Sequence, residues 1–590
     1  MFQSFLIQKI GRKIALNVVT SARVAMILAV SWATLGTGSD AAWAVSAAKV
    51  LLPPDMIVIN ADVKTSDKDR PTAEAFAVLD GRFLAIGTTQ EMRELAGPET
   101  LIIDVKSTTV IPGLIDGHIH LLMGMPLATG VNLSDIVDKN EWLNLIARKV
   151  ATLQPGQWIL GGGWNHALSD GVLPTRQMLD KVSPQNPVLL FDIDGHTTWA
   201  SSLALKLANI TAVSSVPDGA EIVLDPETGE PTGILKEGAA NAIRALASYQ
   251  AANNPKDGVL ALVALANKNG FTSVHEMASD TSIYAGLAAK SELNLRVWAG
   301  KTGLRTTDDV VAYAAERDAT IKLLVSSNEA GQGPMFKHGY VKLMVDGVLS
   351  TRTALMKEPY SDMPHVVAEA ITDTKTLTTL VEASHENGFP VAIHAIGDKA
   401  VQNALDAFEA AGRKKVTLMD RIEHIEVATI VDEKRFIALS VAASMQPIHA
   451  TCCVGDYVLD RIGAERMPNA YAWRRKLDKG LHLSLNSDWP TSPLSAFKHI
   501  SAAMARKTAK DGGLKSWDKD QTLSFGEALY AYTQASADLS DWGDITGSIT
   551  VGKWADFVVL STSVNQDDPV SVAALQVQAT YLAGGIVYEK

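Results

Sequence analysis

Two histidines one residue apart, His118 and His120, end the run Gly113-Leu-Ile-Asp116-Gly-His118-Ile-His120. Residues two apart on a strand face the same side, so both imidazoles can bind one metal ion. Other apolar runs carry residues of related chemistry. Lys342 lies inside Val341-Lys-Leu-Met-Val, and a buried lysine is costly unless it is paired or chemically altered. His394 ends Val391-Ala-Ile-His, His424 ends Arg421-Ile-Glu-His, and Asp488 follows Leu483-Ser-Leu-Asn-Ser. Each alone is equally well read as a hydrogen-bonded strand-end residue. Taken together, four histidines, an aspartate and an intrastrand lysine offer imidazole and carboxylate ligands around a position left open for water.

The elements that would carry these residues are apolar, β-branched runs separated by helix-like stretches rich in Ala, Leu, Glu and Lys. The runs are Val110–Asp116, Phe271–Val274, Leu295–Ala299, Tyr340–Val345, Pro390–His394, Arg421–Ile425, Val441–Met445 and Leu481–Leu485. Eight strands predict an α/β fold, a (β/α)8 TIM barrel with its chemistry at the strand ends, although the alternation alone also permits a doubly wound sheet. The stretch from about 131 to 269 is too long for one crossover and predicts an inserted subdomain over the barrel mouth. Strand-like runs near both termini, Met56–Val63 and Ala75–Leu79 at one end and Asp556–Leu560 and Ala579–Ala583 at the other, predict one small β-sandwich built from the two ends. The expected limits are 1–44 for a leader, 45–112 and 546–590 for the sandwich, and 113–545 for the barrel.

The bulk composition narrows the partners. The 590 residues carry a formal net charge of -12 and show no basic stripe, which argues against a nucleic-acid partner and for a small-molecule substrate. Lys9, Arg12, Lys13 and Arg23 precede a short apolar run from Val24 to about Leu35, and Ala42-Trp-Ala44 offers a signal-peptidase site. The expectation is a cleaved signal peptide, a mature chain that begins near Val45, a periplasmic or secreted location and no membrane contact after cleavage. Cys452 and Cys453, the two cysteines, are adjacent and poorly placed to bridge each other. The sequence leaves a homo-oligomer open.

In order and spacing, His118, His120, Lys342, His394, His424 and Asp488 resemble the amidohydrolase superfamily. The finer likeness is to the branch that includes N-substituted formamide deformylases. It rests on Asp194-Gly-His196-Thr-Thr-Trp199, Asp346-Gly-Val-Leu-Ser-Thr-Arg352-Thr-Ala, His394-Ala-Ile-Gly-Asp398-Lys-Ala, Met445-Gln-Pro-Ile-His449 and Ser487-Asp488-Trp-Pro. The segment Gly547 to Asp556 adds the superfamily's return to its sandwich. One departure is Val348-Leu-Ser350-Thr351, where smaller residues are expected in a substrate-facing loop. The resemblance implies two divalent ions, with zinc the best match, bridged by a carboxylated Lys342. His118, His120 and Asp488 would hold one ion, and His394 and His424 the other. Asp488 would serve as base toward a metal-activated hydroxide.

Substrate contacts are expected from His196 and Trp199 in the insertion, from Arg352 toward a substrate carboxylate, and from His449 in the pocket. The loop Trp164-Asn165-His166 is a further pocket candidate, whereas His275 and Glu276 read as structural. Cleavage of an amide, formamide or related C–N bond is the leading reading. Deamination or ester or lactone hydrolysis on the same site remains open, as does a non-catalytic binding descendant, against which the retained Lys342 and Asp488 argue.

Overall fold

The computed structural model describes residues 52–134, 136–165, 172–192, 197–217, 220–251, 255–327, 332–451, 455–507 and 517–590. The leader segment, His166, His196 and the two cysteines lie outside these residues. Among the described residues no helix is long and apolar enough to cross a membrane.

Eight parallel strands form one sheet. They are β1 (Leu114–Ile119), β2 (Phe271–Ala278), β3 (Arg296–Lys301), β4 (Phe336–Met344), β5 (Val391–Ala395), β6 (Asp420–His424), β7 (Val441–Met445) and β8 (Leu483–Leu485). Each is hydrogen-bonded to the next in chain order. This is the predicted (β/α)8 barrel. Near-complete burial of these strands explains why they read as apolar runs rather than alternating ones. The first and last strands meet where Asp488 N donates to His118 O at 2.9 Å.

The predicted first strand divides in two. Thr109–Pro112 pairs with Phe557–Leu560 in a sandwich sheet, and the chain enters the barrel only after Gly113. A Cβ at Gly113 would overlap the Thr272 side chain, so a residue without a side chain is required at this crossing. The sandwich has a six-stranded sheet drawn from both ends of the chain and a four-stranded sheet from the N-terminal part alone.

The insertion is a separate six-stranded sheet running from Val131 to Lys236, with its own apolar core around Trp142, Trp164 and Trp199. It ends earlier than the expected 269. The helix Pro255–Lys268 turns Val259, Leu262, Val263 and Ala266 into the barrel's core and is the barrel's own first crossover helix.

Barrel and sandwich are tied together by a buried ion pair. Arg296 on β3 donates to Asp556 through Nε at 2.7 Å and Nη2 at 3.0 Å, and Asp556 also accepts from Ala583 N. Asp556→Ala leaves the Arg296 charge buried without its partner, which costs about 3–5 kcal/mol. Denaturant unfolding should show that loss, and an unchanged midpoint would rule out this tie as a stabilising contact.

Candidate metal centre

β1 delivers His118 and His120 to the barrel mouth, and the loop after β8 delivers Asp488 between them. Asp488 Oδ1 lies 3.3 Å from His118 Nε2 and 3.4 Å from His120 Nε2. Its other oxygen lies 3.8 Å from His449 Nε2. Ring centroids place His424 4.9 Å from His118 and 4.5 Å from His394. Lys342 is buried and opens on the same cavity as all of these.

The orientation of the imidazoles is fixed from behind. His118 Nδ1 is 2.8 Å from Glu423 Oε2, His120 Nδ1 2.9 Å from Met277 O, and His424 Nδ1 2.9 Å from Gln446 Oε1. Each Nδ1–H therefore donates to an acceptor and each Nε2 lone pair is left for the cavity side, the arrangement of metal-ligating histidines. His394 is held the other way round, with Nε2 3.1 Å from Gly347 O and 3.6 Å from Asp346 Oδ1, so that Nδ1 is its available nitrogen. Asp346 is itself fixed by the backbone N–H groups of Leu355, Ile396 and Gly397.

Charge follows the same plan. Burial and the neighbouring Lys342 push His394 down to about 3, and burial with His394 and His118 nearby holds His424 well below the ordinary histidine range. Both shifts favour the neutral ring, the form that ligates metal. Burial opposes ionisation of Asp488, but the adjacent histidines outweigh it and hold the carboxyl well below its usual range. His424 and Asp488 have φ of 74° and 55°, sparsely populated for residues other than glycine. The first has a clear use. Strand alternation would turn adjacent Glu423 and His424 to opposite sides, and the positive φ brings both to His118.

These residues fit a metal ion. Buried His118 Nε2 makes no hydrogen bond among the described residues although it faces a carboxylate. The donor atoms of His118, His120 and Asp488 lie within 4.8 Å of one another, as do those of His424, His449 and Asp488. The second grouping puts His449, expected only to line the pocket, among the candidate donors.

Other expected contacts fall elsewhere. Trp199 is fully buried in the insertion's core, with Nε1 donating to Thr175 O at 3.0 Å and its ring against Trp142 and Trp164. It supports the insertion and does not clamp substrate. Arg352 is paired with Asp362 through two hydrogen bonds of 3.1 and 2.7 Å, which spends its fork on the loop rather than on a substrate carboxylate. Sequence reasoning missed Glu423 and Gln446, the orienting partners. Glu423 carried a readable signal, a charged residue inside an apolar strand.

Above the donors lies a cavity of about 1840 Å³. Its walls come from the loop after β1 (Leu122, Met125), from the insertion (Phe191), from the helix Asn241–Ala251 that follows it (Arg244) and from the loops after β4 and β5 (Val348, Ile396). Arg244 donates to Thr198 Oγ1 at 2.7 Å on the insertion side.

Comparison with known proteins supplies the context for this geometry. The model of the amidohydrolase family matches residues 101–588. The chain belongs to the amidohydrolase family. It is 31% identical to Protein LONG AFTER FAR-RED 3 of Arabidopsis thaliana, over 96% of this chain and 97% of that protein. It is 30% identical to an N-substituted formamide deformylase of Arthrobacter pascens, over 91% and 98%. Among solved structures, an uncharacterized metal-dependent hydrolase from Pyrococcus furiosus is similar with a TM-score of 0.67 and 26% identity, covering 87% of this chain and 99% of that one. Barrel, donors and family agree on a metal-dependent hydrolase.

Since the donors come from β1, β6 and the loop after β8, a bound ion stabilises the native state by mass action. Zinc added to chelator-treated protein should raise its melting temperature, and His118→Ala should abolish that shift. A melting temperature indifferent to zinc would contradict the assignment of these donors.

Proposed function

We propose that this protein hydrolyses an amide, formamide or related C–N bond of a small molecule, with Asp488 as the base, on a pair of divalent ions. The observation that carries the reading is the position of Asp488, its two oxygens shared among His118, His120 and His449 at the floor of a large cavity. The 30% identity to a relative named as an N-substituted formamide deformylase supports the choice of bond.

Divalent ions on these donors, zinc being well matched to imidazole and carboxylate, would supply Lewis acidity toward a carbonyl and lower the pKa of a water. The remaining work belongs to the chain. Asp488 accepts the proton of the attacking water and returns it to the leaving nitrogen, so that the nitrogen departs as a neutral amine. His118, His120 and His424 stay in register because their Nδ1 atoms are tied down. The cavity walls give the substrate a largely apolar surface, with Arg244 and Thr198 as polar points on the insertion side.

Lys342 is proposed to be carboxylated. Its neutral amine adds to CO₂, a new N–C bond forms, one C–O π bond opens onto oxygen, one proton is lost to solvent, and the amine beside the donors becomes an anionic carbamate. Burial, partly offset by Glu423 and Asp488, lowers Lys342 to about 8, which keeps the reactive neutral amine within reach near neutral pH.

Zinc-loaded protein screened against N-formyl and N-acyl amines, N-acyl amino acids, lactones and esters should turn over the C–N substrates and release free amine and acid from them in equal amounts. Asp488→Asn should lower kcat by roughly 10²–10⁴-fold with little change in KM. Ammonia as the nitrogen product would replace the proposal with deamination, and turnover confined to lactones or esters would overturn the C–N reading.

Lys342→Ala should lose activity, and acetate or propionate should partly restore it by filling the vacated space with a carboxylate. A variant fully active without added carboxylate would exclude the carbamate.

A further inference from the structure

The interior of a (β/α)8 barrel is ordinarily filled by layers of branched apolar side chains. Beneath the histidines of this barrel lies a buried charged cluster instead. Glu423 and Arg421 sit two apart on β6, and both are almost wholly inaccessible. Arg421 Nε lies 2.7 Å from Glu423 Oε1 as an ion pair without hydrogen-bond alignment, while Glu423 Oε2 takes His118 Nδ1 at 2.8 Å. Arg421 Nη1 donates to His275 Nδ1 on β2 at 2.8 Å, and the guanidinium lies 4.4 Å from the ring centroid of Tyr340 on β4. Tyr340 is anchored in turn by its hydroxyl, which donates to Glu276 O at 3.0 Å. Three strands thus hold one guanidinium in place.

We infer that Arg421 is a positioning residue that sets metal affinity by fixing Glu423 against His118; the inference rests on the metal-centre reading above. The acceptors behind the histidines are not equivalent. His120 and His424 donate to neutral oxygens, of a backbone carbonyl and an amide, whereas His118 donates to a carboxylate. A charged acceptor makes the stronger hydrogen bond and raises the basicity of the opposite ring nitrogen. That advantage requires one Glu423 oxygen to stay on His118, in a place where no solvent orients it. The Arg421 charge lies against the other oxygen and so holds the carboxylate in place by ion pairing. His275 and Tyr340 then stop the guanidinium from swinging away. His275, which the hydrolytic chemistry does not use, gains a role as acceptor for Arg421.

The test measures zinc binding to metal-stripped protein by competition with a chromophoric chelator, together with the visible spectrum of the cobalt-loaded form. The proteins are wild type, Arg421→Met, Arg421→Lys, Glu423→Gln and the double variant Arg421→Met/Glu423→Gln. Arg421→Met and Glu423→Gln should each weaken zinc binding by about 10–100-fold, the usual effect of losing such a partner. The double variant should be no weaker than the weaker single variant, since both changes remove one device. Arg421→Lys keeps the charge but not the fork and should show a smaller loss with a perturbed cobalt spectrum. A folded Arg421→Met with wild-type affinity and spectrum would overturn the inference, as would losses that multiply in the double variant. Should Arg421→Met fail to fold, Arg421→Lys decides, weakened binding supporting the inference and wild-type binding overturning it. A purely structural arginine would lower the unfolding midpoint of the metal-free protein and leave the affinity of the folded protein unchanged. Wild-type protein that binds no zinc would overturn the metal-centre reading and this inference together, whereas zinc-binding wild type with indifferent variants would overturn this inference alone.

Discussion

The seam between the first and last barrel strands is where fold and chemistry meet. Asp488 N donates to His118 O, and Asp116 Oδ1 accepts from both Ser487 N at 3.0 Å and His118 N at 3.3 Å. The contacts that draw β8 onto β1 therefore also place the Asp488 carboxylate between two imidazoles. A barrel that failed to close there would leave His118 and His120 facing no carboxylate. The packing around the seam is correspondingly tight, since Gly124 lies so close to Trp489 that any side chain at 124 would strike the indole.

Buried charge imposes the second constraint. An ionised group taken out of water is tolerated only when paired or hydrogen-bonded, and the mouth of this barrel gathers many such groups. Three of the carboxylates show how they are held. Asp346 takes three backbone N–H groups, Glu276 takes those of Leu121 and Leu122, and Glu423 takes His118 and Arg421. The result is a set of imidazoles with fixed nitrogens before any ion arrives, which lowers the ordering cost of binding one. The insertion adds a wall to a cavity large enough for a small molecule with an apolar substituent.

How much of this was legible in the sequence depends on where each residue lies. The donors were readable because residue type and position coincide, with His118, His394 and His424 at the ends of apolar runs and Asp488 just beyond one. The eight strands were readable for the same reason, being buried on both faces. Their orienting partners were not. The acceptor for His120 is a backbone carbonyl, which leaves no mark on the sequence, and Glu423, a charged residue inside an apolar strand, showed that it was unusual but not which residue it orients. Trp199 misled because an aromatic residue beside His196 in a polar motif looks like a binding residue, whereas its surroundings in three dimensions are two other tryptophans. Arg352 misled in the same way, its partner Asp362 lying in the same loop. The extent of the insertion was overestimated because chain length alone set it, although the apolar face of Pro255–Lys268 has the helical period that marks a crossover helix. The pairing of Thr109–Pro112 with Phe557–Leu560 joins the two ends of the chain, and local pattern could suggest it only through the matching β character of both termini.

The account stands on the claim that the barrel mouth is a metal centre built on Asp488. Anomalous diffraction from crystals of zinc-loaded protein, recorded on either side of the zinc edge, tests it most directly. The account predicts anomalous density between His118, His120 and Asp488 and a second peak beside His424. Zinc found only at surface residues, with the space beside Asp488 empty of anomalous scatterers, would contradict it.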